Sequence, residues 1–305
     1  MARILVVGSS GFVGAAVCTS LGERGHEAIR LRTPRIDPVT LRPNPSSIAS
    51  LRAHLNNCAA VVNAAGVPDS TGAKKAEMWA ANGILPGLLA SECSRYGVRF
   101  VHVSSAAVQG RISSLDSTTE MNPFSAYSAS KARGEVEALR CDSTVIYRPP
   151  GVHGFDRKVT RTIARLARSQ FTSVAGDGSA NSPQALIENV GDAIAFLAVS
   201  NVTPPAIVAH PSEGVTTGGL LEDLGGRRPA RVSPRLARAA VAAAFGAAQT
   251  LPSAAGHARR LEMLWFGQSQ SPSWLTGEGW VPVLGRDAWR DLGRRLAIEI
   301  PSEGN

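Results

Sequence analysis

Ile4-Leu5-Val6-Val7 runs straight into Gly8-Ser9-Ser10-Gly11-Phe12-Val13-Gly14, and the reading of this stretch decides the fold. Four consecutive apolar residues predict a strand buried on both faces, as in a parallel sheet. From Phe12 to Arg24 the apolar residues return at helical spacing, with Val13, Val17 and Leu21 on one face. Between the two stands a GxxGxxG turn. Glycine there permits a tight turn, lets a pyrophosphate approach the backbone, and lets helix and strand pack closely. The helix N-terminus then faces the anion. Gly8, Ser10, Gly11, Phe12, Val13 and Gly14 form the candidate dinucleotide-binding turn. A tight βα turn with no ligand is the alternative.

Outward from this turn, strand and helix patterns alternate. Glu27 to Leu31 reads as a strand, Ser47 to Leu55 as a helix, and Val61-Val62 as a strand end. Ala76 to Tyr96 reads as one long helix closed by Gly97. Val98 to Val103, Tyr127 to Leu139 and Thr144 to Tyr147 continue as strand, helix and strand. Such alternation predicts an α/β fold: a Rossmann-type, doubly wound parallel sheet with right-handed crossovers. After Gly151 the pattern loosens into a basic helix (Arg157 to Arg168), a strand and helix (Leu186 to Val199) and a last core strand (Ala206 to Ala209). We expect a dinucleotide-binding domain over 1–155, with 185–212 returning to it. Residues 156–184 and 213–305 would form a smaller, mainly helical substrate lobe, in which Trp265, Trp274, Trp280 and Trp289 serve packing.

Composition narrows the function classes. Charged residues make up only 18% of the 305, which argues against a disordered chain. The net charge of +8 favours anionic partners, but the basic residues are scattered, so nucleic acid is not expected. Cys18, Cys58, Cys93 and Cys141 form no CxxC pair, and no His stands at a zinc-ligand spacing. We therefore expect no metal, and reduced thiols in a cytoplasmic protein. The N-terminal stretch lacks a signal-peptide apolar region, and Ala239 to Ala248 is far short of a membrane span, so no membrane role is expected. A homodimer is compatible with all of this.

The end of the second strand bears on which dinucleotide binds. An NAD site usually carries a carboxylate there, and an Arg accommodates the 2′-phosphate of NADP. Here Arg32 stands at that place, between Arg30 and Arg35, with no carboxylate before Asp37. NADP(H) is the expected cofactor and NAD(H) the second choice; a solvated basic loop is the plainer alternative.

Tyr127-Ser128-Ala129-Ser130-Lys131 opens a helix, and positions i and i+4 share one face. A phenol near pKa 10 is a weak acid–base catalyst at neutral pH. A neighbouring ammonium and the positive nicotinamide ring would lower that value and let Tyr127 exchange a proton with a carbonyl or alcohol oxygen. Ser105, 22 residues earlier at a strand end, could hold the same oxygen, or simply cap a turn. Ser105, Tyr127 and Lys131 are the candidate catalytic residues.

GSSGFVG, VNAAG (Val62 to Gly66), VHVSSAAVQG, YSASK and RPPGVHG together resemble the extended short-chain dehydrogenase/reductases, the family of nucleotide-sugar epimerases, dehydratases and reductases. The resemblance covers about residues 1–200. It implies that Tyr127 and Lys131 are the catalytic pair, which also touches the cofactor, and that Ser105 is the third member. It implies that Ala64, Ala65 and Gly66 line the cofactor, that Asn82 lies near the active site, and that Pro150 flanks the nicotinamide.

Departures from the family pattern bear on the reaction. Its 4,6-dehydratases carry Asp-Glu directly after the catalytic Thr, and its epimerising reductases carry a Cys in that stretch; here Ala106-Ala107 stand there. Gln109 and His153 replace tyrosines of the pattern, which makes His153 a candidate substrate contact. The expected function is an NADP(H)-dependent reduction of a small-molecule carbonyl, a 4-keto group of a nucleotide-diphosphate sugar first. The alternatives are an epimerase with a tightly held cofactor, a reductase of a hydrophobic ketone, and a noncatalytic NADP-binding sensor.

Overall fold

The computed structural model describes residues 1–68, 74–250 and 255–299. In chain order its first half comprises β1 (Arg3–Val7), α1 (Phe12–Glu23), β2 (Glu27–Leu31), α2 (Pro45–Leu55), β3 (Ala60–Asn63), α3 (Lys75–Met78), α4 (Leu85–Arg95), β4 (Arg99–Val103), β5 (Ser114–Leu115), α5 (Ala126–Ala138) and β6 (Thr144–Arg148). Then follow β7 (Gly151–His153), α6 (Lys158–Arg168), β8 (Ser173–Ala175), β9 (Gln184–Leu186), α7 (Ile187–Val199), β10 (Ile207–Ala209), α8 (Thr217–Gly225), β11 (Ala230–Val232), α9 (Pro234–Thr250), α10 (Ala255–Phe266), β12 (Ser269–Gln270), α11 (Trp274–Gly277) and α12 (Asp287–Glu299).

Six strands form one parallel sheet in the order β10-β6-β4-β3-β1-β2. This is the expected doubly wound fold. The apolar run of β1 is buried on both faces because helices cover both. Ile4 and Val6 pack towards α1 and α7, against Val17, Leu21, Val190 and Ile194. Leu5 and Val7 pack towards α2 and α4, against Leu51, Leu55, Leu85 and Leu89. Successive side chains of a strand point to opposite faces, so one apolar run serves two cores. The chain leaves β1 for β2 on one side and returns to β3 on the other, which puts a topological switch point at the carboxyl ends of β1 and β3. Open α/β sheets bind ligands in that crevice.

A third core joins α6, α8 and α12 through Ala164, Ala167, Leu220, Leu224, Trp289 and Leu296. Trp280 is buried and its indole N–H donates to Asp192 at 2.8 Å, while Trp265 donates to the Ser173 carbonyl at 3.1 Å. These tryptophans serve packing.

The expected single helix over 76–96 is interrupted. Trp79–Ile84 forms a π-helical turn between α3 and α4. An alanine-rich pattern does not distinguish a π turn from an α turn, and such turns are frequent at functional sites. The segment after Gly151 is also more ordered than its sequence suggests, because β7 pairs with β9 in parallel.

Candidate active site

The glycine turn is built as the sequence requires. Gly8 has φ +80°, and a Cβ there would stand 2.6 Å from the Ala65 nitrogen. A Cβ on Gly14 would stand 2.1 Å from the Gly8 carbonyl oxygen. Gly11, the N-cap of α1, supplies no side chain to the first-turn N–H groups, which are left to face the crevice with Ser10, Phe12 and Val13. The walls of this cradle approach each other only because side chains are missing. That is the shape a dinucleotide pyrophosphate needs at a helix N-terminus.

Across the switch point, Ala64, Ala65 and Gly66 follow β3. Asn63 holds them in place: its Oδ1 accepts the Ala65 N–H at 3.1 Å and its Nδ2 meets His102 Nδ1 at 3.1 Å. Sequence reasoning assigned the three residues after Asn63 and passed over Asn63 itself; a buried amide beside a cradle of small residues was the available signal.

Asn82 lies in the π-helical turn and is fully buried. Its amide accepts the Val67 N–H at 2.9 Å and donates to the Val67 carbonyl and to Ser130 Oγ, each at 3.0 Å. It ties the loop after Gly66 to α5, so its part in cofactor binding is to fix that wall. A Cβ on Gly66 would come within 2.9 Å of Asn82 Oδ1 and 3.2 Å of Lys131 Nζ.

Ser125 and Ser128 make a capping box that starts α5 and sets Tyr127 in its first turn. Lys131 is buried one turn on and donates to the Val103 carbonyl at 2.9 Å. Burial pulls its ammonium down to about 8, against the pull of Glu135. The phenol behaves differently from the sequence expectation. Burial pushes Tyr127 above its usual value, and the opposing pulls come from the Arg157 guanidinium and a hydrogen bond with Ser105. Lys131 turns to the backbone of β4 instead.

Ser105 is half-buried and caps the short 3-10 turn Ala106–Gln109, its Oγ accepting the Ala107 N–H at 3.2 Å. Oγ takes that bond as an acceptor, so its own hydrogen stays available. The Ala106 N–H donates to the Pro149 carbonyl at 2.9 Å, which fixes the Ser105 turn beside Pro150. Arg32 is exposed just past β2 and makes no ion pair or side-chain hydrogen bond among the described residues. All the predicted site positions except Asn82 and Lys131 therefore fall at carboxyl ends of the parallel strands or on the first turns of α1 and α5.

His153 is turned into the core. It is buried, its Nδ1 meets Thr160 Oγ1 at 3.1 Å, its Nε2 meets Gln184 Oε1 at 2.8 Å, and its ring packs on Trp289. Gln109 is likewise buried against Asp116. Arg157, which stands at the N-cap of the basic helix α6, stacks on Phe12 with 4.9 Å from guanidinium carbon to ring centre. Among the described residues no His/Cys/Asp/Glu group could hold a metal ion, and no helix is long and apolar enough to cross a membrane.

A parallel sheet whose first βα turn leaves a glycine cradle at the switch point defines the class of nicotinamide-dinucleotide enzymes. Within that class, residues 4–208 match the NAD dependent epimerase/dehydratase family, and the chain belongs to it. A 2-alkyl-3-oxoalkanoate reductase from Stenotrophomonas maltophilia (strain K279a) is 27% identical over 238 residues, 71% of each chain. A dTDP-4-dehydrorhamnose reductase from Bacillus anthracis, solved with NADP, matches 98% of this chain and 99% of its own, with TM-score 0.65 and 16% identity. A UDP-glucuronic acid 4-epimerase from Bacillus cereus, solved with NAD, matches 99% and 98% with the same TM-score and identity. The likeness to the two structures is one of fold, shared by a reductase and an epimerase.

Proposed function

We propose that this chain is an NADP(H)-dependent reductase that interconverts a carbonyl and an alcohol. The observation that carries the reading is one arrangement: Ser105 close enough to Tyr127 to favour its phenolate, Lys131 buried against Gly66, and only methyl groups at Ala106 and Ala107. The nicotinamide, when bound, supplies the hydride. Ser105 donates to the carbonyl oxygen and orients it. Tyr127 delivers the proton to that oxygen, its burial keeping it protonated until then. Lys131 pins the base of α5 to β4, and the Arg157 guanidinium supplies the positive charge that favours phenolate. Eliminating water, or inverting a carbon beside the carbonyl, needs a further acid–base group, and the two alanines offer none.

Arg32 supports NADP(H), since an exposed guanidinium without a protein partner at the end of β2 suits a 2′-phosphate. It also weighs against an epimerase, which recycles its cofactor and has no need of the reducing pool.

Two substrate classes compete. The family resemblance favours a 4-keto nucleotide-diphosphate sugar; the relative named for 2-alkyl-3-oxoalkanoate reduction favours an oxo acid. A diphosphate needs unneutralised cations. In the cavity of about 550 Å³ beside α10, Arg111 and Arg259 both pair with Glu262. Arg286 and Arg290 share Asp223, and Arg161 holds Glu299. Arg157, on Phe12 of the cofactor turn, pairs with no carboxylate among the described residues; one such charge matches a carboxylate better than a diphosphate, so we put the oxo acid first. Incubation with NADPH and, separately, 3-oxoalkanoates, neutral hydrophobic ketones and 4-keto nucleotide sugars tests this. Expected is NADPH oxidation with a 3-oxoalkanoate, lost in Tyr127→Phe; oxidation with none of the three overturns the reading.

A further inference from the structure

We propose that Arg157 is the specificity-determining residue of this site: its guanidinium, seated on the Phe12 ring beside Tyr127, takes the carboxylate of a substrate whose carbonyl meets Ser105. The proposal rests on the carbonyl-reductase reading above and names its substrate class.

The backbone puts Arg157 there. A Cβ on Gly154 would stand 2.9 Å from Phe12 Cζ, so only glycine lets the chain after β7 pass against that ring. Three residues on, Arg157 caps the N-terminus of α6 and lays its guanidinium over the same ring. Phe12 is the first residue of α1 in the glycine cradle, so the cation hangs where cofactor turn and catalytic residues meet. Its charge reaches the Tyr127 phenol and favours phenolate; burial in turn pulls Arg157 down.

What is missing is a counter-ion. Arg148 has Glu135, Arg24 has Asp192 and Arg161 has Glu299. Among the described residues no carboxylate pairs with Arg157, although it is only half exposed to solvent at most. A partly desolvated cation without a partner is unfavourable until an anion arrives. The planar fork suits a carboxylate, which it binds through two parallel N–H donors. No side chain caps the first turn of α6, so its N–H groups add to the same positive field. The cofactor pyrophosphate at α1 is the other anion within this neighbourhood. The link to Tyr127, the reacting end, favours the substrate.

The test compares a 3-oxoalkanoic acid with its methyl ester, two molecules with one carbonyl and different charge. For wild type, Arg157→Gln and Arg157→Lys, kcat/KM is measured for both, and NADPH Kd by fluorescence titration. Arg157→Gln should lower kcat/KM for the acid roughly tenfold to a hundredfold more than for the ester, the loss of one charge-assisted contact beyond any effect through Tyr127 that both compounds share, while NADPH Kd changes by less than about threefold. Arg157→Lys, which keeps the charge, should recover part of the acid's rate. Equal losses for acid and ester, or a matching loss of NADPH affinity, overturn the proposal; the latter would assign Arg157 to the pyrophosphate. If wild type reduces neither compound, the choice of a 3-oxo acid as substrate fails by itself. Calorimetry of the 3-hydroxyalkanoate and its ester on NADP-loaded protein then decides for Arg157. Acid-selective binding that Arg157→Gln abolishes supports the assignment, and its absence overturns it.

Discussion

The ammonium of Lys131 stands 3.2 Å from the point that a Cβ on Gly66 would occupy. The wall after β3 and the catalytic face of α5 thus touch through a missing side chain. Gly66→Ala would push on Lys131 and, at 2.9 Å, on Asn82 Oδ1, which three hydrogen bonds hold still. We expect a stability loss of about 1–3 kcal/mol, as for other overpacked sites, read by denaturant melts. Weaker cofactor binding should accompany it. Wild-type stability together with wild-type NADPH affinity would contradict this geometry.

Tyr127→Phe removes one hydroxyl and keeps the ring that fills its place. Turnover should fall on the order of 10²–10⁴-fold, the usual contribution of a positioned proton donor. Cofactor affinity and thermal stability should hold. Turnover above half the wild-type value would remove Tyr127 from the mechanism.

Arg32→Ala tests cofactor choice. Each charge-assisted hydrogen bond to a 2′-phosphate is worth roughly 1.5–3 kcal/mol, so NADPH should bind at least about tenfold more weakly. NADH binding should not change, because its ribose carries no phosphate there. Equal affinity of the wild-type protein for both cofactors, by calorimetric titration, would contradict the NADP assignment.

His153 gives a pH prediction. Burial holds its imidazole down at about 4, against an ordinary value of 6.5. Between those values the unfolded chain binds the proton and the folded chain refuses it. Stability is therefore complete above pH 6.5 and lost as the pH falls towards 4. The full difference is about 3 kcal/mol from this group. His153→Gln, which can still bond with Thr160 and Gln184, should flatten the acid limb in urea melts at a series of pH values. An unchanged acid limb would show that His153 does not control it.

The parts of the site that are local in sequence were legible. Gly8 to Gly14 and Tyr127 to Lys131 carry their geometry in their spacing, and the apolar run of β1 announced a two-sided core. What depended on distant partners was not. His153 stands in a motif usually occupied by a tyrosine, and only the fold brings it Thr160 and Gln184. Arg157 belongs to a helix rich in arginine, and nothing in the periodicity places it, rather than another of them, over Phe12. Asn82 sits in a π turn, a backbone state with no signature in an alanine-rich helix. The partner of Lys131 was hidden for a related reason: the i, i+4 spacing sets Lys131 on the face of Tyr127, but its ammonium finds the Val103 carbonyl, contributed by another strand.

The central claim, a simple carbonyl reduction, is tested most directly by cofactor accounting joined to product mass. With NADPH and an accepted 3-oxoalkanoate, the account predicts one NADPH oxidised per product formed. The product should be heavier than the substrate by two hydrogens. A product lighter by one water, or a stereoisomer formed with no net NADPH oxidation, would contradict it and mean that an acid–base group other than Tyr127 acts in this site.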